Sequence, residues 1–176
     1  MALTLAATLF AALDGGWLAR WCALAPARVW HGELWRLVTW PFIERSPLGL
    51  VFTLAAIYKF GGELASRWGD RRLRRFALDT VVGAGLATVI VALAFGATHV
   101  WRLGGWAVTE ALVIAWARQY PDRGLVFYGF LAVRGRQIVR LTFGVAVLFV
   151  IFAGTAAAPE LATCAIATWY PPSRLR

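Results

Sequence analysis

The sequence predicts an all-α fold, a polytopic bundle of transmembrane helices, and three observations predict it. Of the 176 residues, 60% are hydrophobic and only 15% charged, against about 45–50% and about 25% in soluble domains. Mean hydropathy is +0.65. The apolar residues fall in runs separated by short, arginine-rich connections. A spanning helix needs about 20 mostly apolar residues, so six of them take about 120 and leave no room for a second, soluble domain. The same composition excludes a disordered chain and a secreted disulfide scaffold.

A single transmembrane domain occupies residues 1–176. The first helix, residues 1–25, is imperfect because Asp14-Gly15-Gly16 interrupts it. No basic segment precedes it, so it reads as a retained helix and not a cleaved signal. Residues 26–47 form a long external loop. Trp17, Trp21, Trp30, Trp35 and Trp40, half of the ten tryptophans, lie in or beside it. Indole rings bury their bodies and hydrogen-bond their N–H at a membrane interface, so this loop is expected to lie half-immersed. The second helix covers 48–64, the third 76–97, the fourth 103–117 and the fifth 137–154. Between the last two, residues 124–133 are apolar but too short to span. Residues 156–170 reach about 22 Å at 1.5 Å per residue, short of the ~30 Å hydrocarbon core. They form a short sixth helix or a re-entrant segment.

Eighteen basic residues face nine acidic ones, and Lys59 is the only lysine. Arg67, Arg71, Arg72, Arg74 and Arg75 form one cluster, and Arg118, Arg123, Arg134, Arg136 and Arg140 a second. Two helices separate the clusters, so both fall on one side of the membrane, the cytoplasmic side by the excess of positive charge. Both termini are then cytoplasmic, with Arg174 and Arg176 on that side if the sixth segment crosses. This placement explains the charge better than nucleic-acid binding, and the two basic surfaces could meet a cytoplasmic partner. Abundant Arg and Ala suggest a GC-rich bacterium and hence its inner membrane. Cys22 and Cys164 have no metal-site spacing and read as unpaired, packed thiols; no cofactor or metal site is expected.

The stretch HGELWRLVTWPF (residues 31–42) resembles the first external loop of the rhomboid superfamily, with its Trp-Arg pair at Trp35-Arg36. FTLAAIYKFGGELASRWGDRR (residues 52–72) resembles the rhomboid second helix, with Thr53, Gly61, Leu64 and Gly69 at the motif places. Trp116-Ala117-Arg118-Gln119-Tyr120-Pro121, followed by Phe127-Tyr128-Gly129-Phe130, looks more like the derlin branch. These matches cover residues 28–130. They imply a rhomboid-like bundle of six helices.

The departures imply a catalytically inactive relative. Active rhomboids carry a Ser in a Gly-x-Ser-Gly turn on the fourth helix and a His on the sixth, because a nucleophilic hydroxyl needs a base within hydrogen-bond reach. Here the turn reads Gly104-Gly105-Trp106-Ala107. The three serines, Ser46, Ser66 and Ser173, lie elsewhere, as do His31 and His99. Gly49 and Thr53 stand where the family has its oxyanion-binding His and Asn. The resemblance therefore implies a derlin-like pseudoprotease that binds membrane lipids and the transmembrane segments of client proteins, thins the bilayer locally, and serves quality control or trafficking. An unorthodox hydrolase using Thr109 or Glu110, and a small transporter or channel subunit, are the alternatives.

A charge inside a spanning helix costs about 2.5–3.5 kcal/mol on insertion scales, so each such residue needs a reason. Glu110 in the fourth helix is either a polar contact for a client helix, together with Trp106 and Thr109, or a carboxyl paired with Arg or neutral between helices. Lys59 can snorkel outward. Asp79 is expected to pair with the arginine cluster, and Asp14 with Arg20 or as a helix cap. Trp35 and Arg36 are expected to anchor the loop, Arg36 by satisfying loop carbonyls. Gly83 and Gly85 are expected to permit close helix packing, and Gly61 and Gly69 to be packing or helix-end positions.

Overall fold

The computed structural model describes residues 1–97, 99, 101–127, 131–154 and 158–170. Arg174, Arg176 and the 128–130 part of the third motif lie outside them.

The segment expected as a first span is two helices, not one. Helix α1 (Ala2–Leu13) stops at Asp14, and α2 (Trp17–Cys22) restarts after Gly15 and Gly16, which have φ of +69° and +80°. Glycine takes that left-handed conformation without a Cβ clash. Asp14 is the cap: its carboxylate accepts from the Gly16 and Leu18 amides, both at 2.8 Å. At 12 residues, α1 is about 18 Å long.

The following loop folds into α3 (Pro26–Trp30), α4 (Arg36–Thr39) and a 3-10 turn at Trp40–Phe42. It lies deeper than its polar-aromatic composition suggests. Leu24, Val29 and Trp40 are buried with Val81, Ala84, Val89 and Ala107 in one of the two cores. Leu24 and Arg102 exchange backbone hydrogen bonds of 2.9 and 3.0 Å, fastening the start of the loop to the chain around residue 102.

Helix α5 (Pro47–Ala56), capped by the Ser46 hydroxyl, runs through a π turn at Ile57–Gly61 into α6 (Gly62–Trp68). Gly69, at φ +80°, is the whole connection to α7 (Asp70–Ala94). The sequence expectation of helices at 48–64 and 76–97 joined by a basic linker is thus corrected. Arginine is a good helix former, so the cluster at 67–75 extends both helices to a single-residue hinge. Helix α8 (Trp106–Gln119) starts later than expected because Gly104, at φ +120°, turns the chain first.

The apolar stretch that is too short to span contains two strands. They belong to an antiparallel hairpin, β1 (Gly124–Phe127) with β2 (Leu131–Arg134), in the register Gly124 to Arg134. Helices α9 (Gly135–Ala153) and α10 (Ala158–Trp169) complete the described chain. Helix α10 packs on α7 and α8, and α9 on α8. The second core, with Leu64, Phe76, Ile114, Trp116 and Ala167, lies between these helices.

Among the described residues, two helices are long and apolar enough to cross a membrane, Pro47–Trp68 and Asp70–Ala94. Large apolar side chains also cover the outside. Leu13, Ile90 and Phe152 are 87%, 65% and 85% exposed, a surface that water would not tolerate over such an extent.

The four glycines divide. A Cβ on Gly83 would overlap the Ile166 side chain, and one on Gly85 would sit 3.2 Å from Leu37 Cδ2. Helix α7 thus meets α10 and the loop closely at both positions. Gly61 does not serve close packing, and Gly69 is a helix end, the other place expected for it. A Cβ on Gly61 would make ordinary contact, 3.7 Å from Ile57, while Gly69 faces open space and is needed for its positive φ.

Candidate functional site: a cavity between α8 and α9

Trp106, Thr109 and Glu110 recur at i, i+3 and i+4, which places them on one face of α8. That face, with Val113, forms one wall of a cavity of about 330 Å³. Ile138, Leu141, Thr142 and Val145 of α9 form the other. Trp106 is exposed at 56%, whereas Glu110 is buried.

The polar atoms on this wall are incompletely satisfied. Cys164 Sγ donates to Glu110 Oε1 at 3.3 Å. Glu110 Oε2 and Thr109 Oγ1 are buried without a hydrogen-bond partner among the described residues. An unpaired buried polar group costs about 1–3 kcal/mol, so a native one calls for an explanation. Of the alternatives for Glu110, pairing with an arginine does not occur among the described residues; nearby, Arg102 pairs with Glu160 at 3.5 Å. The expectation for Asp79 is corrected. It accepts a 2.8 Å hydrogen bond from the Tyr170 hydroxyl rather than pairing with the arginine cluster. Cys22 and Cys164 are both free.

The glycine turn before α8 holds a residue that the sequence reading missed. Glu44 Oε1 accepts from the Gly105 amide at 2.6 Å and from Thr53 Oγ1 at 2.7 Å. A Cβ on Gly49, Gly104 or Gly105 would lie 3.0–3.2 Å from its carboxylate oxygens. The three glycines make room for this carboxylate, and it fills the space beside the Gly104-Gly105-Trp106-Ala107 turn. His31 and His99 are exposed, and no hydrogen bond joins either to a hydroxyl among the described residues.

Trp35 and Arg36 part company. Arg36 is fully buried, and its Nη1 donates to the carbonyls of Arg20 and Ala23 at 2.8 and 2.7 Å. Its Nε donates to Glu33 at 2.5 Å. Trp35 turns outward and stacks on Trp21, centroids 4.9 Å apart, which in turn stacks on Trp17. Arg118 belongs to the frame as much as to a basic surface. It donates to the carbonyls of Ala167 and Tyr170, each at 3.0 Å, and to that of Thr168, closing the C-terminal end of α10. Arg123 pairs with Glu63 at 3.2 Å, and Glu63 also accepts from the Trp116 indole at 2.8 Å.

Two long apolar helices and an apolar exterior fit a helical integral membrane protein. The chain belongs to the family described as "Eukaryotic integral membrane protein (DUF1751)", whose model matches residues 1–170. That membership overturns the expectation of a bacterial inner membrane. Arg and Ala content reflects the base composition of a genome and does not identify the kind of cell. Comparison with curated proteins finds no match.

Proposed function

We propose that this chain is a rhomboid-like, derlin-like membrane protein without protease activity, which holds transmembrane segments of client proteins against the α8–α9 cavity. In this reading the bundle has six spans, with α1–α2 as the first and α10 as the short sixth. The observation that carries it is the pair of buried, unpartnered atoms, Thr109 Oγ1 and Glu110 Oε2, on the wall of an otherwise apolar cavity. A client helix with one polar side chain supplies the missing partner. Intramembrane hydrogen bonds of this kind contribute about 1 kcal/mol, or about fivefold in affinity. Helices α8 and α10, at 14 and 12 residues, are about 21 and 18 Å long, which supports local bilayer thinning.

The test uses two labelled model helices in liposomes, one all-Leu/Ala and one with a single central Asn. Energy transfer to the reconstituted protein measures binding. The Asn helix is expected to bind about fivefold more tightly, and Thr109→Val with Glu110→Met to abolish the difference. Equal binding of both helices to the natural protein, or a preference that survives both substitutions, overturns the reading.

A further inference from the structure

A second cavity, of about 510 Å³, lies among α1, α2, the chain leading into α5 and the chain before α8. Its walls are largely apolar, with Leu9, Ala12, Leu50 and Leu103 among them. Two exposed arginines from separate elements, Arg20 of α2 and Arg45 of the loop, line it as well. Neither guanidinium has an acidic partner among the described residues. The one carboxylate in the lining, Glu44, already takes hydrogen bonds from Thr53 and Gly105 on Oε1.

The backbone carrying each arginine is clamped. The Arg20 carbonyl accepts from buried Arg36 at 2.8 Å. Beside Arg45, the Glu44 amide donates to Thr8 Oγ1 at 3.1 Å while its carboxylate is held from α5 and the start of α8. Two cations on a largely apolar lining, neither with an acidic partner among the described residues, favour an anionic group there. The guanidinium fork matches a phosphate in shape and charge. Two cations beside a largely apolar wall suit a molecule that is anionic at one end and apolar along the rest. An acyl chain is narrow enough to lie along the apolar wall.

We propose that this cavity binds one glycerophospholipid, its phosphate between Arg20 and Arg45 and one acyl chain along Leu9, Ala12, Leu50 and Leu103. The site uses other residues than the cavity at Glu110, so it stands or falls separately from client binding. Native mass spectrometry of the full chain in detergent tests it, with phosphatidylglycerol, diacylglycerol and inorganic phosphate as probes. The expected result is one phosphatidylglycerol retained per chain and no diacylglycerol. Arg20→Gln with Arg45→Gln is expected to reduce retention at least tenfold. Ala12→Trp, which fills the cavity and leaves both charges, is expected to do the same. All three substituted side chains are exposed, and thermal unfolding checks that the variants keep the fold. Retention unchanged in a folded arginine variant or in Ala12→Trp overturns the proposal. So does diacylglycerol held as well as phosphatidylglycerol, which makes the cavity merely apolar. Displacement of the lipid by equimolar inorganic phosphate overturns it too, because the site then recognises the anion alone.

Discussion

The Glu44 carboxylate accepts a 2.6 Å hydrogen bond from the Gly105 amide, 61 residues further along the chain. With the 2.7 Å bond from Thr53 Oγ1, it ties the end of the loop to the second half of α5 and to the start of α8. Hydrogen bonds to a charged acceptor contribute about 1.5–3 kcal/mol each, and a donor left buried and unpaired adds to the loss. Glu44→Ala is therefore expected to destabilise the protein by about 2–4 kcal/mol. Glu44→Gln keeps one acceptor oxygen and is expected to cost about half as much. Thermal unfolding in detergent measures both. Equal stability of Glu44→Ala and the natural protein would show that the contact contributes nothing.

Gly135 begins α9 where it crosses the end of α8. A Cβ there would lie 2.6 Å from the Tyr120 carbonyl oxygen and 2.7 Å from that of Ala117. Both obstacles are backbone and neither can rotate away. Gly135→Ala is expected to cost about 1–3 kcal/mol, as overpacking does. Gly62 is the control: it is helical and exposed, and a Cβ there meets nothing within 4 Å. Gly62→Ala is expected to be neutral or to stabilise by up to about 1 kcal/mol through helix propensity. Equal unfolding temperatures for the two variants, or the reverse order, would refute the assignment.

Arg118 closes α10 by donating to the carbonyls of Ala167, Thr168 and Tyr170. The last carbonyls of a helix lack intrahelical partners and carry partial negative charge, so a cation there is favourable twice over. Arg118→Gln is expected to destabilise by about 1–3 kcal/mol. It should also raise amide exchange in the last turn of α10 before any change appears in α7. Arg118→Lys keeps the charge without the planar fork and is expected to fall between. Hydrogen exchange read by mass spectrometry separates the three proteins, and uniform exchange across α10 in all of them would remove the cap.

The long helices were legible because an apolar run near 20 residues has one economical solution in a membrane. So was the grouping of Trp106, Thr109 and Glu110, since helical spacing alone puts them on one wall. What escaped the sequence depends on contacts between distant residues. Nothing local marks Glu44, whose donors lie 9 and 61 residues away. The hairpin at 124–134 was hidden because an apolar stretch shows no alternation to separate strand from helix. The break at Gly15-Gly16 was visible as composition. That it would split the span into two capped helices depended on Asp14 reaching both the Gly16 and Leu18 amides. Asp79 was assigned the nearest cations in sequence, but helix geometry brings it the Tyr170 hydroxyl from the far end of the chain.

Tyr170, just past α10, makes the junction with α7 sensitive to alkali. Burial pushes its phenol above the ordinary tyrosine range, and the hydrogen bond to Asp79 and the charge of that carboxylate push the same way. The folded state therefore holds this proton more tightly than the unfolded chain does. The stabilisation is fully present below about pH 10, the pKa of a free tyrosine, and is lost as pH rises through the higher folded-state value. Unfolding measured from pH 8 to 11 is expected to show stability falling toward the alkaline end. Tyr170→Phe is expected to be less stable at pH 8, by about 0.5–1.5 kcal/mol for the missing hydrogen bond, and flatter in its alkaline dependence. The charges of Arg75 and Arg72 act the other way and offset part of the rise. Parallel pH profiles for the natural protein and Tyr170→Phe would assign the alkaline loss to another group.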